Sequence, residues 1–235
     1  MNQTNQTDQS PPPNPDDCLR ATAFIDSDHP DVVAYAAQAM GDADSAIDKA
    51  VRLYYAVRDD IRYDPYTIDL SPSGMRASTV LQTGRGWCVN KAVLLAAVCR
   101  VAGIPAALGF ADVRNHLSTE RLREAMGTDL FHYHGYTALF LDGQWVKATP
   151  AFNLSLCEKM SLKPLEFDGR ADSIYHPFDL SGARHMEYVT FRGERADLPL
   201  DELLQAFAVY YPNMSRLDNA DFDQDLVVKR GPSQS

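Results

Sequence analysis

The run from Val89 to Ala102 constrains this chain more than any other stretch. Val89, Ala92, Val93, Leu95, Ala96, Ala97, Val98, Cys99 and Val101 cover nearly every side of a helix. A helix that is apolar all round has to sit inside a core. The segment ahead of it, Gln82-Thr-Gly-Arg-Gly-Trp-Cys88, is a glycine-bearing turn that delivers Cys88 onto the first helical turn. The first N–H groups of a helix lack partners within it, and the aligned peptide dipoles put positive potential there. A thiol held at that point sheds its proton more readily than one in water, and the thiolate is the nucleophile. The ordinary role of such a cysteine is a small buried residue. Chemistry at Cys88 therefore depends on what the rest of the chain brings to it.

A second stretch supplies a partner. Phe131-His-Tyr-His-Gly-Tyr-Thr-Ala-Leu-Phe-Leu141 is rich in aromatic and branched residues and reads as a strand. Asp142-Gly143 is a strong hairpin-turn signal, and Gln144-Trp-Val-Lys-Ala-Thr149 returns. With a two-residue loop Leu141 faces Gln144, and counting back sets His134 opposite Ala151. Alternation then puts Thr149 and Asn153 on the face of His134, displaced diagonally in opposite directions. Either is placed to hold a ring nitrogen of His134, although Pro150 lacks the N–H that would continue the ladder.

Elsewhere the chain alternates helical and extended patterns. Residues 1–17 form a polar, proline-bearing tail expected to be disordered. Leu19–Ile25 fits a short strand. Asp28-His-Pro30 opens a helix that Gly41 ends, and Ser45–Arg62 is a second helix broken by Asp64-Pro-Tyr66. Ser78–Leu81 is a helical turn leading into Gln82. Gly103-Ile-Pro105 closes the cysteine helix, Ala107–Val113 is a strand, and Ser118–Met126 is a short helix capped by Ser118. Leu162–Phe167 and Met186–Phe191 read as strands, with Glu166–Asp179 a loop of the kind that covers active sites. Leu200–Ala208 is a helix, and 213–235 reads as a solvated acidic tail. Its Asp218, Asp221, Asp223 and Asp225 fail the EF-hand spacing for calcium.

Composition excludes several classes of function. A net charge of −10 argues against a nucleic-acid partner. No apolar stretch reaches the ~18 residues of a membrane span, and no secretory signal is evident. The chain is expected to be cytoplasmic. Cys18, Cys88, Cys99 and Cys157 contain no CxxC pair, which suits reduced thiols. Cys99 reads as core, Cys18 and Cys157 as free thiols.

Taken together, Gly86-Trp-Cys88, Arg100–Pro105, His134-Gly-Tyr136, Asp142-Gly-Gln-Trp145 and Thr149-Pro150 resemble the transglutaminase-like superfamily of papain-like cysteine enzymes. The resemblance covers roughly residues 20 to 155, within a domain drawn at 18–212. It implies an α+β, papain-like fold with N-terminal helices and a central cysteine helix packed on an antiparallel sheet. It also implies acyl transfer at amide bonds through a thioester, with Cys88 as nucleophile and His134 as base. Hydrolysis is the expected outcome, and amide-forming transfer is the alternative. Substrates would be peptides, proteins or small amides and amines, and no cofactor is required. The large animal members use calcium as a regulator, for which this chain shows no clear site.

One position departs from that family. Many members carry Asp where this chain has Thr149, and a hydroxyl orients imidazole without stabilising imidazolium. Asn153 is chemically the better orienter, since papain-like proteases use Asn in that role, so the third position is assigned to Asn153 or Thr149. Gln82, six residues before Cys88, matches the spacing of the papain-type oxyanion donor, with the Cys88 N–H as its partner. Trp87 either shapes the pocket or packs, and Asn90 and Lys91 read as solvated or capping residues. Arg114-Asn115-His116 is placed to line a substrate groove.

Two rival readings stand beside this one. His132 and His134 alternate on a strand and could share zinc with Cys88 or His116. Alternatively, the chain is a non-catalytic binding module on the same fold.

Overall fold

The computed structural model describes residues 11–115, 118–174, 186–217 and 220–228. A turn of 3-10 helix at Pro15–Cys18 precedes α1 (Pro30–Met40), α2 (Ala46–Asp60), β1 (Arg62–Tyr63), α3 (Ala77–Thr83), β2 (Arg85–Gly86) and α4 (Cys88–Val101). Then follow β3 (Ala106–Asn115), α5 (Glu120–Met126), β4 (Leu130–Leu141), β5 (Gln144–Ala148), α6 (Leu154–Met160) and β6 (Met186–Arg195). The chain closes with α7 (Leu200–Tyr210), a 3-10 turn at Met214–Leu217 and α8 (Phe222–Val228). Four antiparallel strands form one sheet in the order β5-β4-β3-β6, and β1 and β2 form a separate parallel pair. Among the described residues no helix is long and apolar enough to cross a membrane.

Local chemistry explains where the helices begin. Pro30 occupies the first position of α1, and the His29 ring nitrogen accepts the Asp31 N–H. Ser45 Oγ accepts the Asp48 N–H at the start of α2. The N-cap of α4, Trp87, offers no side-chain hydrogen bond, so the first amides of that helix are left for other groups. Helix α4 is buried along nearly its whole length, between α1, α2 and α3 on one side and β3 and β4 on the other. The expected central rod is therefore present.

The hairpin register is as expected where it is paired, with Leu141 opposite Gln144 and Phe140 opposite Trp145. It ends at Thr137 opposite Ala148, well short of Ala151. The Thr149 N–H turns instead to Ser173 O at 2.9 Å. Past Pro150 the chain leaves the sheet and Asn153 becomes the N-cap of α6.

Several expectations are corrected. Leu19–Ile25 has no strand, and 163–168 runs as irregular chain. Of the N-terminal tail, 11–17 are described, and they lead into buried Cys18. The expected acidic tail carries the 3-10 turn and α8, because Leu217, Phe222 and Leu226 turn inward and are buried. Two of its acids are paired, Asp223 with Arg62 and Lys159, and Asp225 with Arg121. His116, His176 and His185 lie outside the described residues.

Lys91 is also corrected: it is fully buried rather than solvated. Its Nζ donates to Arg58 O and Ile61 O, carbonyls that α2 leaves without partners at its end. Asn90 is buried too, its amide donating to Gly74 O. Burial, partly opposed by Asp59, brings the Lys91 ammonium down to about 7. The unfolded chain therefore takes up a proton between about pH 10 and pH 7 that the folded chain refuses, so this group makes stability rise with pH across that window. Urea unfolding at pH 7 and 9.5 tests this. Lys91→Met should lose about 1–3 kcal/mol from the stranded carbonyls and flatten the wild-type rise with pH. An unchanged midpoint and an unchanged pH slope would contradict the assignment.

Candidate active site

The approach to Cys88 is fixed by the small parallel pair. Arg62 N–H donates to Gly84 O at 2.9 Å and Asp64 N–H to Gly86 O at 3.1 Å. These bonds anchor the backbone up to two residues before the sulfur. On the other side, Gly135 of β4 lies against the first turn of α4. A Cβ at Gly135 would sit 2.9 Å from Val89 Cα and 3.3 Å from Val89 N, closer than packed side chains come. Two residues on, Thr137 Oγ1 donates to Ala92 O at 2.9 Å.

This arrangement surrounds the thiol with backbone donors. Cys88 is 6% exposed. Burial pushes its thiol up to about 11, against the opposing pull of N–H groups from Gly135, Val89 and Cys88 itself. The resting sulfur is therefore protonated. Beside it lies a cavity of about 40 Å³, whose walls include Tyr63, Trp87, Leu122, Phe131, Phe207 and Tyr211.

His134 is the residue before Gly135 and is also buried. Strand alternation turns its ring to the face opposite Gly135 and Thr137. There it meets Tyr188 edge-on, ring centroids 6.3 Å apart. Burial pushes the imidazole down to about 4, and its Nε2 has no hydrogen-bond partner. Thr149 Oγ1 is likewise buried without one. The structure thus brings Cys88 to Gly135, next to His134, but gives the His134 Nε2 neither the sulfur nor Thr149 to bond.

The other predicted residues lie elsewhere. Asn153 Oδ1 accepts Tyr63 N–H at 3.0 Å and its Nδ2 donates to Ser155 Oγ at 2.7 Å, so its amide tethers β1 to α6. Gln82 is exposed on α3, its amide 3.4 Å from Asp31 on α1, and is not among the residues lining the cavity at Cys88.

One residue that sequence reasoning passed over, and one whose role it left open, are prominent here. Asp112 of β3 is buried, with Oδ2 3.0 Å from His132 Nδ1 and both oxygens held by Arg192. Burial raises this carboxyl, but the bonds from His132 and Arg192 outweigh it and hold the group at about 2. A lone acid within the apolar strand Ala107–Val113 was the available signal. The second is Trp87, whose indole Nε1 is buried without a partner in the wall of the Cys88 cavity. The His132 backbone N–H meets the hydroxyl of Tyr211, which lines the same cavity. Among the described residues no group of three or more His, Cys, Asp or Glu could hold a metal ion. The four cysteines are free and buried.

A cysteine opening a buried helix, packed at the histidine-bearing strand of an antiparallel sheet, defines an α+β protein with a papain-like core. The family model of the transglutaminase-like superfamily matches residues 33–150, half of the chain, and the chain belongs to that superfamily. No functionally curated protein matches it. Among solved structures it is similar to a candidate cysteine protease from Cytophaga hutchinsonii, at 14% identity and a TM-score of 0.44, over 75% of this chain and 52% of that one. It is also similar to a candidate protease from Parabacteroides distasonis, at 16% identity and a TM-score of 0.37, over 57% of this chain and 25% of that one. The chain thus spans about half the length of the first and a quarter of the second.

The buried thiol makes a measurable prediction. The rate of Cys88 alkylation by iodoacetamide should rise with a midpoint near pH 11, well above the ~8.5 of a free thiol. A midpoint below pH 7 would instead reveal a resting thiolate paired with imidazolium.

Proposed function

We propose that this protein is a transglutaminase-like cysteine enzyme that cleaves amide bonds through a thioester on Cys88. The observation that carries the reading is Cys88 at the first position of α4, whose first amides have no side-chain cap, with Gly135 of β4 packed against the same helical turn. Such donors stabilise the thiolate and then the oxyanion that forms beside it. In the forward step the sulfur attacks the carbonyl carbon, the S–C bond forms and the C–N bond breaks. The amine leaves with the proton that imidazole took from the thiol. Water then cleaves the thioester, giving a carboxylate and the free thiol. Transfer to a second amine is the alternative fate, and peptides, proteins or small amides are the substrates.

His134 is the base in this reading, at the position that matches the family, and its ring has to swing from its place against Tyr188 to reach the sulfur. Burial keeps it neutral, the state that accepts a proton. Thr149, with its hydroxyl unclaimed, takes the orienting role ahead of Asn153, whose amide is engaged with Tyr63 and Ser155. The unpartnered indole N–H of Trp87 replaces Gln82 as the side-chain donor to the oxyanion. A second reading gives the base to His132, because Asp112 at 3.0 Å supplies the carboxylate that position 149 lacks.

Amide turnover with intact-mass trapping of the acyl-enzyme tests both. Cys88→Ala should abolish turnover and the adduct, and Trp87→Phe should slow turnover by roughly tenfold or more if it donates to the oxyanion. The true base should cost roughly 10²–10⁴-fold when changed to Gln, and the other histidine under tenfold. Loss in His132→Gln with retention in His134→Gln would move the base to His132. Turnover surviving Cys88→Ala would overturn the proposal.

A further inference from the structure

The walls around the sulfur say what kind of acyl group it can hold. The cavity of about 40 Å³ at Cys88 contains no acidic or basic side chain: Ile68, Leu122, Met126, Phe131 and Met214 face it together with aromatic rings. Its few polar atoms are uncharged. The Tyr211 hydroxyl meets the His132 N–H and Leu130 O. The Tyr63 hydroxyl is held neutral by burial. The Trp87 indole N–H is buried without a partner.

A second cavity of about 20 Å³ shares Tyr63, Pro65, Leu122 and Phe131 with the first and runs on toward Phe152 and Phe222, with the polar residues Asn115, Ser118 and Thr119 in its wall. The cover over both comes from the C-terminal segment, Phe207, Tyr211 and Met214 over the first cavity and Phe222 over the second. A charged group placed in the first of these, the trough at Cys88, would lose its water without meeting an opposite charge. A few carbon atoms placed there lose nothing and gain the burial of their surface.

We infer that Cys88 accepts short apolar acyl groups, aliphatic or aromatic, with the acyl carbons seated in the trough between Tyr63 and Leu122. This rests on the thiol-acylation reading above and adds the substrate class. The carbonyl carbon bonds to sulfur, the C–N bond of the amide breaks with its proton passing to the amine, and the apolar chain points away from solvent.

Acylation of the full-length protein by p-nitrophenyl esters, read as Cys88 adducts by intact mass against a Cys88→Ala control, tests the class. Acetyl, butyryl and isovaleryl esters are compared with a succinyl ester and a 4-carbamoylbutyryl ester. The rate should rise roughly threefold to fourfold with each added methylene until the trough is full, the factor given by burying one CH₂. The butyryl ester should exceed the succinyl and carbamoyl esters at least tenfold. Ile68→Lys, at the half-exposed rim of the cavity, should narrow the butyryl-to-succinyl ratio at least threefold. Succinyl or carbamoyl esters matching butyryl, or a ratio unmoved by Ile68→Lys, would overturn the apolar class while leaving Cys88 as nucleophile. Absence of any Cys88 adduct across the series would overturn both.

Discussion

Everything at this site depends on how closely β4 approaches the start of α4 at Gly135. With hydrogen in place of a methyl group, the strand backbone comes within van der Waals contact of Val89. That approach sets the backbone of β4 beside the first turn of the helix that Cys88 opens. The β1–β2 pair holds the incoming chain from the other direction. The sulfur is thus positioned by backbone, which cannot swing away as a side chain can. Preorganised dipoles of this kind need no rearrangement when charge develops.

The same closeness explains why the resting site is so dry. Excluding water costs the thiolate its hydration, and three amides do not fully repay it, so the thiol stays protonated. Buried polar atoms almost always find partners in folded proteins. Here Trp87 Nε1, His134 Nε2 and Thr149 Oγ1 have none. Of these three residues, Trp87 belongs to the wall of the Cys88 cavity. The C-terminal segment completes the enclosure. Its apolar residues cover the cavity, and its acids pair with Arg62, Arg121 and Lys159 around the rim.

Much of this was legible in the chain. A run apolar on every side could only be a central helix, and Asp142-Gly143 fixed a hairpin whose register follows from a two-residue turn. Cys88 on that helix and His134 on that hairpin were readable, whereas the approach of Gly135 to Val89 was not. What was not legible depends on where chain segments end up after they leave regular structure. Pro150 ends the ladder, so counting along it misplaces Asn153, which caps α6 instead. Lys91 reads as a solvent-facing charge, since nothing local reveals that the end of α2 offers it two carbonyls. The acidic tail hides apolar residues a helical turn apart, Phe222 and Leu226, beneath a composition that suggests solvent. Asp112 was visible as an acid in an apolar strand, but its pairing with His132 and Arg192 depends on sheet neighbours distant in sequence.

A single methyl group at position 135 reaches the heart of this account. Replacing Gly135 with Ala forces a Cβ against Val89 backbone that cannot yield, an overpacking strain of about 1–3 kcal/mol. The decisive measurement is the second-order rate of acylation of Cys88 in Gly135→Ala, at a temperature where the variant is shown to be folded. The account predicts a fall of tenfold or more, because the strand N–H is pushed away from the sulfur. A folded Gly135→Ala protein acylated at the wild-type rate would show that the sulfur owes nothing to that contact.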